Sequence, residues 1–203
     1  MVEFSLCARL KKSIRLGLFP VYIDPSFQVV LKCSEVLSDS MLSENDKIDV
    51  CCSLFIKHRW ILRFMPEKKR QELFRVYFDS FVHVGKQKKG TKKVLDFSQD
   101  AQNIYSSFWQ CYGLDLLGKD RKLHWWSFVS LLGGLSEDTR LMQIISIRTR
   151  PLPKPTKYNQ EERAQLMKLK AEYALKLTDE ERRQQYQEGL AKLALSLEAW
   201  AKQ

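Results

Sequence analysis

Apolar positions recur along this chain mostly at steps of three and four, separated by short breaks rich in proline, glycine or serine. That period belongs to amphipathic helices. The exception comes early. Val21, Ile23, Val29 and Val30 are β-branched, and Pro20 and Pro25 punctuate the run, so a short extended piece is expected over 14–23. Asp24-Pro25 then opens a helix over 25–37, because proline is pre-organised for a first helical position. Phe27, Val30, Leu31 and Val36 or Leu37 form its apolar side. Ser43 and Asp46 stand at capping-box spacing before a helix over 44–57, with Ile48, Cys51, Cys52 and Phe55 inside. Trp60, Ile61, Leu62 and Phe64 lead into Met65-Pro66 and read as a packed turn. From Pro66 a strongly amphipathic helix carries Leu73, Phe74, Tyr77, Phe78 and Phe81, and ends before Gly85.

Residues 85–93, GKQKKGTKK, offer nothing to bury and read as a basic mobile linker. Beyond it, Ser98 or Asp96 caps a helix whose inner face is Ala101, Ile104, Tyr105, Phe108, Cys111 and Tyr112, with Gly113 as its stop. A second helix over 121–132 places Leu123, Trp126, Phe128, Leu131 and Leu132 inside. Ser136 with Glu137 and Asp138 starts a third, with Leu141, Met142, Ile144 and Ile145 on its apolar side. Pro151, Pro153 and Pro155 then break the pattern. Asn159 with Glu162 and Thr178 with Glu181 are further capping boxes, for helices over 160–176 and 179–201. The last stripe is thin: Leu190, Leu193, Leu197 and Trp200. A helix with so little to bury needs the core, a copy of itself or a partner. The expected fold is mainly α, a compact multi-helix, bundle-like arrangement with a short N-terminal extended or β element and a C-terminal helical arm. It divides into a helical unit at 1–84, the linker 85–93, a three-helix unit at 94–150, and a proline-containing linker with C-terminal helices at 151–203.

Composition agrees with a chain that buries a real core: 203 residues, 44% hydrophobic, 29% charged. The formal charge of +10 is local. Residues 57–93 carry twelve basic and three acidic groups, and the rest of the chain nearly balances. Such a block attracts polyanions or forms a solvated face, and phosphate contacts alone give non-specific, salt-sensitive affinity. Five cysteines, at 7, 33, 51, 52 and 111, do not form a secreted disulfide framework and read as small buried hydrophobes. No apolar run approaches the roughly 18 residues of a membrane span, and Leu16 to Val21 is too short for a signal-peptide core. The expectation is a soluble intracellular protein.

The chemistry of catalysis is missing. There is no glycine-rich phosphate loop, no dinucleotide fingerprint and no nucleophile elbow. The histidines, at 58, 83 and 124, are too scattered for a metalloprotease pattern. Asp96, Asp100, Asp115 and Asp120 sit near helix ends, where capping explains them. No catalytic, cofactor or metal residue is assigned, and no cofactor is expected. The most distinctive word is LHWWSF, Leu123 to Phe128. Adjacent helical tryptophans point roughly 100° apart. Either both pack inside a small helical unit, or Trp125 faces a partner as a binding anchor. His124 between them reads as a surface or half-buried polar group.

Lys92 to Arg150 resembles a family of tailed-bacteriophage proteins known as the gene product fifteen family, found in siphophages and prophages of Gram-positive bacteria. The match rests on Asp96-Phe97, Asp100, Ile104-Tyr105, Phe108, Tyr112 to Leu116, Leu123 to Trp126, Phe128, Leu131-Leu132, Gly134-Leu135, Asp138-Thr139, Ile144-Ile145 and Ile147-Arg148. Tyr22 to Phe27 resembles the family's extended lead into its first helix, though Ser26 stands where aspartate is usual and Gln28 where arginine is. The likeness covers residues 15–175. It implies an all-helical, non-enzymatic tail assembly chaperone. Such a protein coats the tape-measure protein, keeps it soluble until tail-tube subunits polymerise around it, and is absent from the finished virion. The implied partners are the tape-measure protein and the tail-tube protein, with self-association as a further mode. The implied location is the bacterial host cytoplasm, with no membrane partner. Candidate partner-binding residues are Trp125, Trp126, Tyr112, Leu190, Leu193, Leu197 and Trp200. The alternative is a nucleic-acid-binding helical module using the basic block 57–93.

Overall fold

Gly17 sets the first reversal of the chain. Its φ of 61° lies in the left-handed region that glycine enters without steric cost. The turn lets β1 (Ser13–Leu16) fold back on β2 (Phe19–Tyr22), antiparallel, with Ile14 opposite Val21 and Arg15 opposite Pro20. The extended piece expected over 14–23 is thus a hairpin. In this computed structural model the described residues are 10–17, 19–82, 93–120 and 122–176. Among them 57% are helical, in a mostly helical bundle with this two-stranded element at its start. The expected linker, apart from Lys93, and the expected helix over 179–201 lie outside the described residues.

The hairpin continues into a bridge between Ile23 and Ile56. Lys57 N–H donates to the Tyr22 carbonyl at 3.1 Å, and Asp24 N–H to the Phe55 carbonyl at 2.7 Å. Helix α1 (Phe27–Ser38) starts at Phe27 rather than 25. Asp24 Oδ1 accepts the Ser26 N–H at 3.0 Å, and this local turn holds Pro25 outside the helix. Helix α2 (Glu44–Phe55) starts as expected, with Ser43 Oγ accepting Asp46 N–H at 3.2 Å. The two helices pack through Cys33 and Cys51, both fully buried, each thiol pointing at the other's backbone carbonyl at 3.9 and 3.7 Å. Helix α3 (Trp60–Arg63) is a single turn. Helix α4 (Glu67–Tyr77) follows Pro66 and runs into a π-helical turn, Phe78–Val82.

Helix α5 (Ala101–Tyr112) ends at Gly113, whose φ of 62° closes the helix through an N–H to the Trp109 carbonyl at 3.0 Å. Neither Ser98 nor Asp96 caps it. Asp96 Oδ1 instead accepts the N–H groups of Ser98 and Gln99, both at 2.9 Å, in a turn upstream. Helix α6 (Trp125–Gly133) begins at Trp125, not 121, because the His124 side chain accepts the Trp126 N–H. Helix α7 (Arg140–Thr149) also starts late. Ser136 to Thr139 form a turn closed by Thr139 Oγ1 donating to the Ser136 carbonyl at 2.7 Å, so Glu137 and Asp138 precede the helix. Before α8 (Gln160–Glu172) the Asn159 box does not form. Asn159 spends its side chain on the Thr156 N–H and the Lys154 carbonyl, at 2.8 and 2.9 Å.

The described residues form two compact units, one from 1–93 with 100–143 and one from 94–99 with 144–203. The first therefore draws on both the 1–84 and the 94–150 segments. Its interior is aromatic. Phe27 stacks on Phe128 at 4.5 Å, and Phe128 on Phe108 at 5.2 Å. Phe55 stacks on Tyr77 at 3.9 Å, Tyr77 on Phe81 at 5.3 Å, and Phe81 meets Trp126 at 5.5 Å. Backbone bonds stitch the starts of α1 and α6 together: Phe27 N–H to the Leu123 carbonyl at 3.0 Å, and Trp125 N–H to the Pro25 carbonyl at 2.7 Å. In the second unit Arg148 donates to the Tyr173 carbonyl at 2.7 Å and the Val94 carbonyl at 3.0 Å. Gln99 there donates to the Ala174 carbonyl and accepts the Lys176 N–H.

Candidate functional site

Of the two arrangements open to the paired tryptophans, the structure has the one in which both turn inward. Each is 6% exposed. Trp126 donates its indole N–H to the Phe81 carbonyl at 2.8 Å, and Trp125 to the Val82 carbonyl at 3.1 Å. The π-helical turn leaves these carbonyls available to the indoles, and the pair anchors α6 to the end of α4. Tyr112 is half-buried and also structural. Its hydroxyl donates to the Leu131 carbonyl at 2.9 Å and its ring meets Phe108 edge-on. All three side chains thus make interior contacts. Leu190, Leu193, Leu197 and Trp200 lie outside the described residues.

The exposed aromatic surface lies elsewhere. Pro66 disfavours helical backbone at Met65, so α3 stops after one turn and cannot run on into α4. Trp60 and Phe64, four positions apart, end up 68% and 78% exposed. With Ile61 they face Leu16, Pro20 and Val21 of the hairpin across an open groove of about 590 Å³. The expected packed turn is instead the wall of this groove. Beside it Tyr22, 53% exposed, meets the His58 ring edge-on. Covering one large side chain contributes on the order of 1.5–3 kcal/mol, so Trp60 and Phe64 hold a sizeable unused driving force. The sequence did carry a signal: an isolated WILRF run between Arg59 and Pro66, too short for a helix that packs.

Charge collects around the same place. Among the lining residues Lys69 is the charged one, and it pairs with Glu72 at 2.8 Å. Arg70 pairs with Asp49 at 3.1 Å. Lys57, Arg59, Arg63 and Lys68 have no ion pair among the described residues. The groove is thus apolar inside, and these four cations stand within three sequence positions of a lining residue.

Burial shifts several interior titratable groups among the described residues. Cys33 is held protonated by its hydrogen bond to Cys51 and by burial. Burial pushes the Cys52 thiol up to about 12. Burial likewise raises Tyr77 and lowers His124. The cysteines at 33, 51, 52 and 111 are free thiols. Among the described residues no group of three His, Cys, Asp or Glu side chains could hold a metal ion, and no helix is long and apolar enough to cross a membrane.

The protein-family model described as Bacteriophage Gp15 protein matches residues 19–175. The chain belongs to that family. No curated protein and no solved structure matches it. The Gp15 match begins at β2 and ends just beyond α8, so it takes in the groove apart from Leu16, the aromatic interior and the Arg148 cluster.

Proposed function

We propose that this chain is a non-enzymatic tail assembly chaperone that binds the phage tape-measure protein and keeps it soluble while tail-tube subunits polymerise around it. The Gp15 family is associated with phage tail assembly. One observation carries the finer reading: Trp60 and Phe64 stand exposed over an apolar groove in a chain of that family. Exposed, contiguous apolar surface with a polar rim is what a protein-binding site requires. A chaperone for a long helical client needs such a surface and no reacting groups. In this reading the protein works in the bacterial host cytoplasm and is left out of the finished virion. Co-expression with the tape-measure protein encoded by the same phage or prophage tests it. The client should be recovered soluble and should co-purify with the chain. A client equally soluble alone, which never co-purifies, overturns the proposal.

A nucleic-acid reading is favoured by the unpaired cations at 57, 59, 63 and 68. Phosphate contacts of that kind give affinity that collapses with salt. Filter binding at about 50 and about 200 mM salt decides it. Tight binding that survives the higher salt would raise this reading above the first.

A further inference from the structure

We infer that the groove between the hairpin and α3 takes an amphipathic helix whose polar face is acidic. Assigning the natural source of that helix to the tape-measure protein rests on the chaperone reading. The chemistry of the occupant rests on the groove itself. The floor is Leu16, Pro20 and Val21, and the wall is Trp60, Ile61 and Phe64. Such a lining rewards an apolar stripe, and its one charged side chain, Lys69, is already paired with Glu72. Cations within three sequence positions of a lining residue supply a basic rim that selects charge: residues 57–70 carry six basic groups and one acidic group, and Lys57, Arg59, Arg63 and Lys68 have no ion pair among the described residues. A helix laid on the apolar lining with glutamates or aspartates along its flanks neutralises that rim. Charge complementarity of this kind raises the rate of encounter and rejects basic partners.

The backbone around the groove favours a helix over an added strand. At the end of β2 the Tyr22 carbonyl already accepts the Lys57 N–H, and the Asp24 N–H already donates to the Phe55 carbonyl. Pro20 has no N–H to offer. A helix closes its own backbone bonds and asks only for a lined trough, which is the helix-in-groove mode of recognition.

The test uses the full chain and three labelled probes followed by fluorescence anisotropy. One is a peptide of about 18 residues, a helix about 27 Å long, with leucine at helical spacing and glutamate elsewhere. The second replaces every glutamate by lysine. The third is a single-stranded oligothymidine of similar length. The acidic peptide should bind at least about tenfold tighter than either other probe, and should weaken at least about fivefold as salt screens the rim. Trp60→Ser with Phe64→Ser should weaken it at least about tenfold while the thermal midpoint stays put, because both side chains are exposed. Arg59→Glu with Arg63→Glu should weaken the acidic peptide and strengthen the basic one. Equal binding of the two peptides, indifference to the Trp60 and Phe64 substitutions, or preference for the oligonucleotide each overturns the inference. Co-purification separates the two proposals. If groove variants retain the tape-measure protein as well as the unsubstituted chain does, the inference falls and the chaperone reading stands. If the acidic peptide behaves as expected but no tape-measure protein is retained, the chaperone reading falls and the groove chemistry stands.

Discussion

At His124 one ring does two jobs. Nδ1 accepts the Trp126 N–H at 3.1 Å, and Nε2 lies 3.0 Å from the Lys11 carbonyl. Only the neutral imidazole with its proton on Nε2 satisfies both. Burial lowers its pKa, the Lys12 charge adds to that, and the Lys11 carbonyl opposes both. The folded value is below the ordinary 6.5, so the unfolded chain binds this proton more readily. Stability from the group is complete above about pH 6.5 and is lost as pH falls from there through the folded value. The thermal midpoint should therefore drop on acidification below about pH 6.5. His124→Asn, which keeps a capping oxygen, should flatten that part of the profile, and His124→Phe should cost about 1 kcal/mol at neutral pH. An unchanged profile in the Asn variant would show that another group is responsible. Tyr77 makes the opposite case. It is fully buried between Phe55 and Phe81, and its hydroxyl has no hydrogen-bond partner among the described residues. Tyr77→Phe removes an unsatisfied group without opening a cavity, so urea unfolding should place it level with the parent or about 1 kcal/mol more stable. Tyr77→Ala should cost about 3–5 kcal/mol.

Helix by helix, what was legible in the sequence was the buried side. Val30, Cys51, Cys52, Phe55, Leu73, Tyr77, Ile104 and Phe108 recur at the helical period and are all buried. Helix beginnings were less legible where the cap depends on a distant partner. Nothing near His124 announces that Lys11, 113 positions away, will fix its tautomer and make it an N-cap. Asn159 likewise prefers its own loop to the helix it precedes. The groove was missed for a related reason. Aromatic runs are usually interior, and Trp60 and Phe64 stay outside because Pro66 and the neighbouring hairpin leave them no slot. Gly113 was legible because its role is local. It holds a φ of 62° at the end of α5, so Gly113→Ala forces a left-handed alanine and should lower stability by about 1 kcal/mol in a denaturant titration. An alanine variant as stable as the parent would mean that the turn can relax at no cost.

At the scale of the molecule, the family match spans residues from both compact units. In the second unit one cation ties several segments: Arg148 reaches two carbonyls, and its own carbonyl accepts Lys170 at 2.9 Å. Each bond from a charged donor contributes about 1.5–3 kcal/mol. In Arg148→Met, amide hydrogen exchange over 160–176 should speed up at least about tenfold while 27–55 stays protected. Equal acceleration in both regions would show that the units unfold together. The first unit carries a different consequence, one of timing. Its α1 start is sewn to residues 123–125, and its His124 to Lys11, 113 positions upstream. At about 5–20 residues per second, a ribosome needs roughly 6 to 23 seconds to add that much chain. By the end of that interval Phe27, Phe55 and Phe81 are made while Phe128 and Trp126 are not. Half-made chains stalled before α6 should be the aggregating species during production. Slowing translation beyond that point should do no harm, whereas slowing it just before should cost soluble yield.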